Sequence, residues 1–130
     1  MTRRTGAVVT SLASLALAAG LAGSQAVNSQ EVPVLKANLG GDCSADFVVR
    51  GAEGQPVYNA TIHVRVRYGP LSMKRSDLEI GTNAEGKARI EGLPTKARPL
   101  AYEISKDKTK GAVMQDVATM CHGAFDVSLK

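Results

Sequence analysis

Strict alternation of apolar and polar residues over "ATIHVRVRY", residues 60–68, most constrains what this chain can fold into. A repeat of two residues is the period of a β-strand that is buried on one face and exposed on the other. The polar face of this strand would carry His63, Arg65 and Arg67. We therefore predict a half-buried strand here and treat His63, Arg65 and Arg67 as a candidate binding face. The alternative is that the arginines are solvated or pair with glutamates on neighbouring strands.

Six further segments have the alternation or the apolar content of short strands, and turns rich in Gly, Pro, Asn and Asp separate them. No window shows a sustained apolar repeat of 3.6 residues, so helices are not predicted. The sequence therefore predicts an all-β fold, a small antiparallel seven-stranded β-sandwich. The six segments are residues 43–50, 77–82, 87–93, 99–105, 112–120 and 123–130.

The N-terminus has the order of a secretory signal peptide. Arg3 and Arg4 form a positive region, an uncharged stretch rich in Ala, Leu and Val follows, and Ser24 and Ala26 provide small residues at a cleavage site. The apolar stretch is shorter than the ~20 residues that a membrane span needs. We predict a signal peptide over residues 1–26, a linker over 27–41 and one domain over 42–130, in a secreted or periplasmic protein.

The charge of the mature chain is small. Removing Arg3 and Arg4 with the signal leaves 14 basic against 12 acidic residues, a net charge of +2. This balance does not indicate nucleic acid as a partner. Three basic loops, "SMKRSD", "PTKAR" and "SKDKTK", are either solvated turns or contacts for an anionic partner such as a cell-surface polymer or phospholipid. No membrane insertion is expected after signal cleavage.

The two cysteines, Cys43 and Cys121, both lie in the mature chain. In an oxidising compartment an even number of cysteines favours a disulfide over free thiols. The alternative is a metal site, since "MQDVATMCHG" places Met120 and His122 on either side of Cys121, and soft ligands of this kind suit copper. Neighbouring residues of a strand point to opposite faces, however, so Met120 and His122 are weak candidates. We predict the disulfide and no resident metal or other cofactor.

The chain resembles the carboxypeptidase regulatory-like family through two segments that share an Ala-Glu-Gly turn, "GAEGQPVYNATIHV" and "TNAEGKARIEGLP". The resemblance extends from about residue 45 to 104 and implies a transthyretin-like, immunoglobulin-like β-sandwich that acts as a non-catalytic accessory or binding module. Because its motifs lie in turns and core, it implies no catalytic residues. The residues that carry it are Glu53, Gly54, Pro56, Val57, Ala60, Ile62, Val64, Thr82, Gly86, Ile90, Gly92, Leu93, Pro94 and Tyr102.

The sequence offers no motif for nucleophilic, metal-dependent or nucleotide chemistry: Gly-x-Ser-x-Gly, His-Glu-x-x-His and phosphate-binding glycine loops are all absent. We therefore predict that the chain is not an enzyme but an exported module with a structural or protein-binding accessory role in the cell envelope or extracellular space. The alternative is a ligand-binding module for carbohydrate or a metal such as copper. Carbohydrate binding would rely on Tyr58, because the chain has no Trp and Tyr68 and Tyr102 fall on predicted core faces.

Overall fold

A computed structural model describes residues 31–130, so the predicted signal peptide lies outside the described residues. Residues 31–130 form eight β-strands, and within this range one 3₁₀ turn, Pro70–Ser72, joins the third strand to the fourth. The strands are β1 (Val34–Lys36), β2 (Cys43–Arg50), β3 (Thr61–Tyr68), β4 (Lys74–Gly81), β5 (Lys87–Leu93), β6 (Leu100–Lys106), β7 (Thr109–Gln115) and β8 (His122–Ser128).

The strands form two four-stranded sheets, with orders β1-β5-β2-β8 and β4-β3-β6-β7. The all-β sandwich class is confirmed, but the predicted strand count and the all-antiparallel arrangement need correction. The described part of the chain has eight strands, and the β1–β5 and β2–β8 pairs are parallel. The additional strand is β1, which lies in the predicted linker. Its three residues are too few to show a period, and its partner β5 is remote in sequence.

Two strands have a bound that differs by three residues or more from the prediction. β4 begins at Lys74 rather than at residue 77, because Lys74, Arg75 and Ser76 pair with the end of β3. β7 begins at Thr109 rather than at residue 112 and ends at Gln115 instead of extending to residue 120. The chain turns after Gln115, where the carbonyl oxygen of Asp116 accepts hydrogen bonds from the amides of Thr119 at 3.1 Å and Met120 at 2.7 Å.

The core lies between the sheets and is formed by their inward-facing apolar residues. The side chains of Ile62, Val64 and Val66 have no exposed area, which confirms the predicted apolar face of β3. Phe47 and Tyr102, from opposite sheets, meet edge to face with ring centroids 4.8 Å apart. The other buried apolar residues are Cys43, Ala45, Val49, Ala60, Leu78, Ala88, Ile90, Leu93, Leu100, Ile104, Val117, Val127 and Leu129.

Cys43 and Cys121 are joined by a disulfide, as predicted, and the described residues contain no free cysteine. The bond ties the start of β2 to the residue before β8. The amide of Ser44 reinforces this junction by donating to the carbonyl oxygen of Cys121 at 2.8 Å. The two strands that lie side by side in parallel are thereby fixed at their beginnings.

Both Ala-Glu-Gly turns place their glycine at positive φ. Gly54 has φ 86° and Gly86 has φ 76°, in a region that residues with a Cβ resist. At Gly86 the backbone is also crowded, because a Cβ there would overlap the carbonyl oxygen of Val49. Nothing lies within 4 Å of a Cβ built at Gly54.

Candidate functional site

The outer face of the β4-β3-β6-β7 sheet carries the three residues that the sequence singled out. His63, Arg65 and Arg67 alternate with the buried residues of β3, and so all three point away from the core. His63 is half-buried, while Arg65 and Arg67 are exposed. The structure therefore places the predicted row on one surface, where side chains of β4 and β6 flank it.

The middle of this face is rich in carboxylates. His63 lies directly opposite Glu79 of β4 on one side and Glu103 of β6 on the other. The Nε of Arg65 donates to Oδ1 of Asp77 at 2.9 Å. This hydrogen bond, together with the charges of Arg65, His63 and Arg75, holds the pKa of Asp77 below its usual value. Arg65 is therefore neutralised by a partner within the sheet.

Arg67 has no such partner. It lies directly opposite Arg75 of β4, and like charges in that position repel. On its other side, the amide of Arg98 donates to the carbonyl oxygen of Arg67 at 3.1 Å, which brings the loop before β6 alongside the end of β3. Three arginines are therefore neighbours at one end of the sheet.

These three arginines are the only ones of the described chain without an ion pair. Residues 31–130 contain six arginines. Arg50 pairs with Asp126 at 3.2 Å, Arg65 with Asp77, and Arg89 with both Asp46 and Glu91. No described carboxylate lies within 4.0 Å of the guanidinium groups of the other three, and residues 1–30 contain neither Asp nor Glu. No carboxylate of the described residues therefore forms an ion pair with this cluster.

A depression of about 440 Å³ opens beside two of the unpaired arginines. We call it the arginine groove. Ala101 of β6 is among its lining residues, and Glu103 is its one carboxylate. A neighbouring depression of about 690 Å³ shares His63 and Glu103 with it and contains Glu79 and Lys110. The arginine groove is lined by His63, Arg65, Arg67, Arg98, Pro99, Ala101 and Glu103.

The weak metal candidates, Met120 and His122, lie at the junction of the disulfide. Cys121 is bonded to Cys43 and cannot act as a thiolate ligand. Within residues 31–130, one group of three His, Cys, Asp or Glu residues has ligand atoms close enough for a metal, and it consists of Asp42 and these two cysteines. Its sulfur atoms are already tied in the disulfide. The geometry therefore gives the metal alternative no further support.

Sequence reasoning missed the pairing of His122 with Ser44. The Nδ1 of His122 and the Oγ of Ser44 share a hydrogen bond of 2.8 Å across the parallel β2–β8 pair. A serine beside a histidine is an arrangement used in nucleophilic catalysis. Here Ser44 is 2% exposed, so its hydroxyl is covered and the bond satisfies a buried polar group. No local sequence signal could have found this pair, because its members are 78 positions apart in sequence.

Tyr58, the candidate carbohydrate platform, is exposed as that hypothesis requires. It precedes β3, whereas the arginine groove is beside the end of β3, so the two features lie at opposite ends of the strand. A depression of about 560 Å³ adjoins Tyr58 and contains Pro56, Lys106 and Asp107. A lone aromatic ring gives this end of the molecule little stacking surface.

No protein-family model matches the chain, and no curated protein sequence matches it. The resemblance to the carboxypeptidase regulatory-like family therefore stays a prediction. Within the described residues there is no helix long and apolar enough to cross a membrane.

Solved structures do show a likeness of fold. Catechol 1,2-dioxygenase from Acinetobacter sp. ADP1 matches with 13% identity and a TM-score of 0.51, over 77% of this chain and 59% of that chain. The enzyme from Acinetobacter radioresistens matches with 14% identity and a TM-score of 0.50, over 76% and 57%. The chain thus spans less than two thirds of these enzymes. A structure of S.CueP matches at 13% identity over 86% of this chain and 91% of that chain, with a TM-score of 0.47.

These matches correct the prediction that the chain is not an enzyme. That prediction relied partly on a fold expected in non-catalytic modules, but structures with this fold include catechol 1,2-dioxygenases, which are enzymes. At 13–14% identity the likeness shows the fold alone and assigns no reaction to this chain. The function has to be argued from its own surface.

Proposed function

We propose that this chain is an exported binding module whose arginine groove holds a partner bearing carboxylate or phosphate groups. The observation that carries the proposal is the cluster of Arg67, Arg75 and Arg98, which have no ion pair although the other three described arginines all have one. Guanidinium groups present a planar set of donors that matches carboxylate and phosphate oxygens. An anion bound there would offset the positive charge of Arg67 and Arg98, the two unpaired arginines that line the groove.

Several features support a place in the cell envelope or outside the cell. The N-terminal residues have the order of a signal peptide, and the disulfide is of the kind that persists in oxidising compartments. A protein-binding accessory role is compatible with an acidic partner surface. A carboxypeptidase regulatory-like origin is likewise part of the proposal, and the two positive-φ glycines of the Ala-Glu-Gly turns support it.

The test is binding of the oxidised mature chain to two soluble probes, polyglutamate and polyphosphate. We expect binding that weakens as salt rises, because exposed charges are screened. The double variant Arg67→Glu with Arg98→Glu should lower affinity about tenfold or more, since it replaces two attractive charges with two repulsive ones.

The matched control is Lys36→Glu with Lys108→Glu. Both lysines are exposed, and both lie outside the groove, on β1 and in the β6–β7 turn. This variant makes the same change in net charge, so it separates a local site from a general attraction of the chain for polyanions. Equal losses in the two variants, or no binding of either probe by the wild type, would refute the proposal.

A further inference from the structure

The β3–β4 hairpin presents two large apolar side chains to solvent. Leu71 is 89% exposed and Met73 is 79% exposed, the two most exposed large apolar residues of the described chain. Scattered apolar residues are normal on protein surfaces, but these two lie two positions apart in one loop, residues 69–73. Their proximity makes the tip of the hairpin an apolar point on a charged surface.

The backbone of the tip is held in an unusual conformation. Leu71 and Ser72 have φ values of 56° and 55°, a region that residues with a side chain rarely adopt. Two hydrogen bonds close the turn, from the Ser72 amide to the Gly69 carbonyl at 3.0 Å and from the Met73 amide to the Pro70 carbonyl at 3.1 Å. Strained backbone of this kind is concentrated at functional sites.

Cationic side chains follow immediately behind this tip. Lys74 and Arg75 begin β4, Arg67 lies opposite Arg75, and Arg98 is bonded through its backbone to Arg67. Two of the basic loops noted in the sequence, "SMKRSD" and "PTKAR", therefore meet at this end of the sheet. From the tip of the hairpin toward the sheet, the apolar side chains of Leu71 and Met73 therefore come first and the positively charged side chains follow.

We infer that this hairpin anchors the protein peripherally on an anionic lipid surface, with Leu71 and Met73 at the acyl boundary and the arginines at the phosphates. The inference rests on the anion-binding role proposed for the arginine groove and names its partner. Basic residues gain free energy near anionic headgroups, and apolar side chains gain it by entering the interface. Such a surface requires no pocket shaped to fit Leu71 and Met73, only an interface that accepts apolar groups beneath a layer of phosphates.

The test uses sedimentation of the oxidised mature chain with vesicles of equimolar phosphatidylcholine and phosphatidylglycerol, compared with vesicles of phosphatidylcholine alone. We expect binding to the anionic vesicles only. The variant Leu71→Ser with Met73→Ser should lower partitioning about tenfold, the loss of two buried apolar side chains. It should leave polyglutamate and polyphosphate binding unchanged, which also shows that the variant is folded. The control is Val34→Ser with Tyr58→Ser, which removes exposed apolar side chains elsewhere and should partition like the wild type.

A fluorescent reporter tests the depth of the tip. The chain has no Trp, so the variant Leu71→Trp contains a single tryptophan. Its fluorescence emission should shift to the blue on anionic vesicles, whereas the emission of a Tyr58→Trp variant should not shift.

If the protein binds polyglutamate or polyphosphate but does not bind the anionic vesicles, the lipid inference fails and the proposed function stands, with an acidic protein surface as the partner. If neither soluble probe binds, the proposed function itself fails. Vesicle binding that is unchanged in the double serine variant would overturn the role of the hairpin.

Discussion

The backbone amide of Arg98 donates to the carbonyl oxygen of Arg67 at 3.1 Å, and this bond joins two parts of the chain that carry unpaired arginines. Thirty-one positions separate the two residues in sequence. The bond lies beyond the part of β3 that pairs with β6, where the chain leading into β6 meets β3 through an isolated bridge between Tyr68 and Ala97. The proposed anion site therefore depends on how the β5–β6 connection crosses between the sheets.

The Arg65–Asp77 pair predicts a specific titration. The hydrogen bond from Arg65 is the largest cause of the lowered pKa of Asp77, so Arg65→Ala should raise that pKa toward its usual value. Because the folded-state pKa is the lower one, the pair contributes stability above the usual pKa of aspartate, and the contribution is lost as pH falls through the folded value. Carboxyl-carbon NMR of Asp77 measures the shift. Arg50→Ala, which removes an arginine from the other sheet, should leave it unchanged, and an unmoved Asp77 in Arg65→Ala would contradict the assignment.

The disulfide closes a long loop, because its cysteines are 78 positions apart in sequence. Replacing Cys43 and Cys121 with serine should lower the free energy of unfolding by up to about 4.5 kcal/mol, because the unfolded chain regains the entropy of that loop. Urea unfolding of the variant against the oxidised wild type measures the loss. The wild type should also show no reactive thiol until it is unfolded and reduced, and two reactive thiols in the folded protein would disprove the bond.

Tyr102 and Gln115 form a buried hydrogen bond that connects the core to the disulfide junction. The Tyr102 hydroxyl donates to Oε1 of Gln115 at 2.6 Å, and Nε2 of Gln115 donates to the carbonyl oxygens of Ser44 at 3.0 Å and Met120 at 2.8 Å. Tyr102→Phe should cost about 1–3 kcal/mol in the free energy of unfolding, because a buried acceptor loses its donor. Tyr58→Phe, at an exposed ring, should cost nothing measurable in the same urea titration. Equal stabilities of the two variants would refute this account.

The two turn glycines should differ in their tolerance of alanine. Gly54→Ala should cost about 1 kcal/mol, the strain of a Cβ at positive φ in open space. Gly86→Ala should cost roughly 3 kcal/mol or more, because the new Cβ also overlaps the Val49 carbonyl that accepts from Val57. Thermal unfolding of both variants measures the difference. Similar losses at the two positions would show that the crowding at Gly86 is relieved at little cost.

Local pattern predicted much of the fold. The alternation in β3 fixed which residues face the core, and the apolar segments gave β2 and β5 with their observed bounds. β1 was missed because three residues carry no period and its parallel pairing with β5 is not local. β4 was predicted too short because its first residues, Lys74 and Arg75, are charged, and only their pairing with the end of β3 makes them part of a strand.

The sequence by itself determined the all-β class, the face on which His63, Arg65 and Arg67 lie, and the pairing of the two cysteines, since residue period and cysteine number are properties of the chain alone. The order of strands in the sheets was decided only by the tertiary structure. That order gives Arg65 an acid in Asp77, gives Arg67 another arginine in Arg75, and brings in Arg98 from a distant loop. Whether an arginine on a strand is neutralised or left free to bind an anion depends on the residue opposite it, and non-local packing selects that residue.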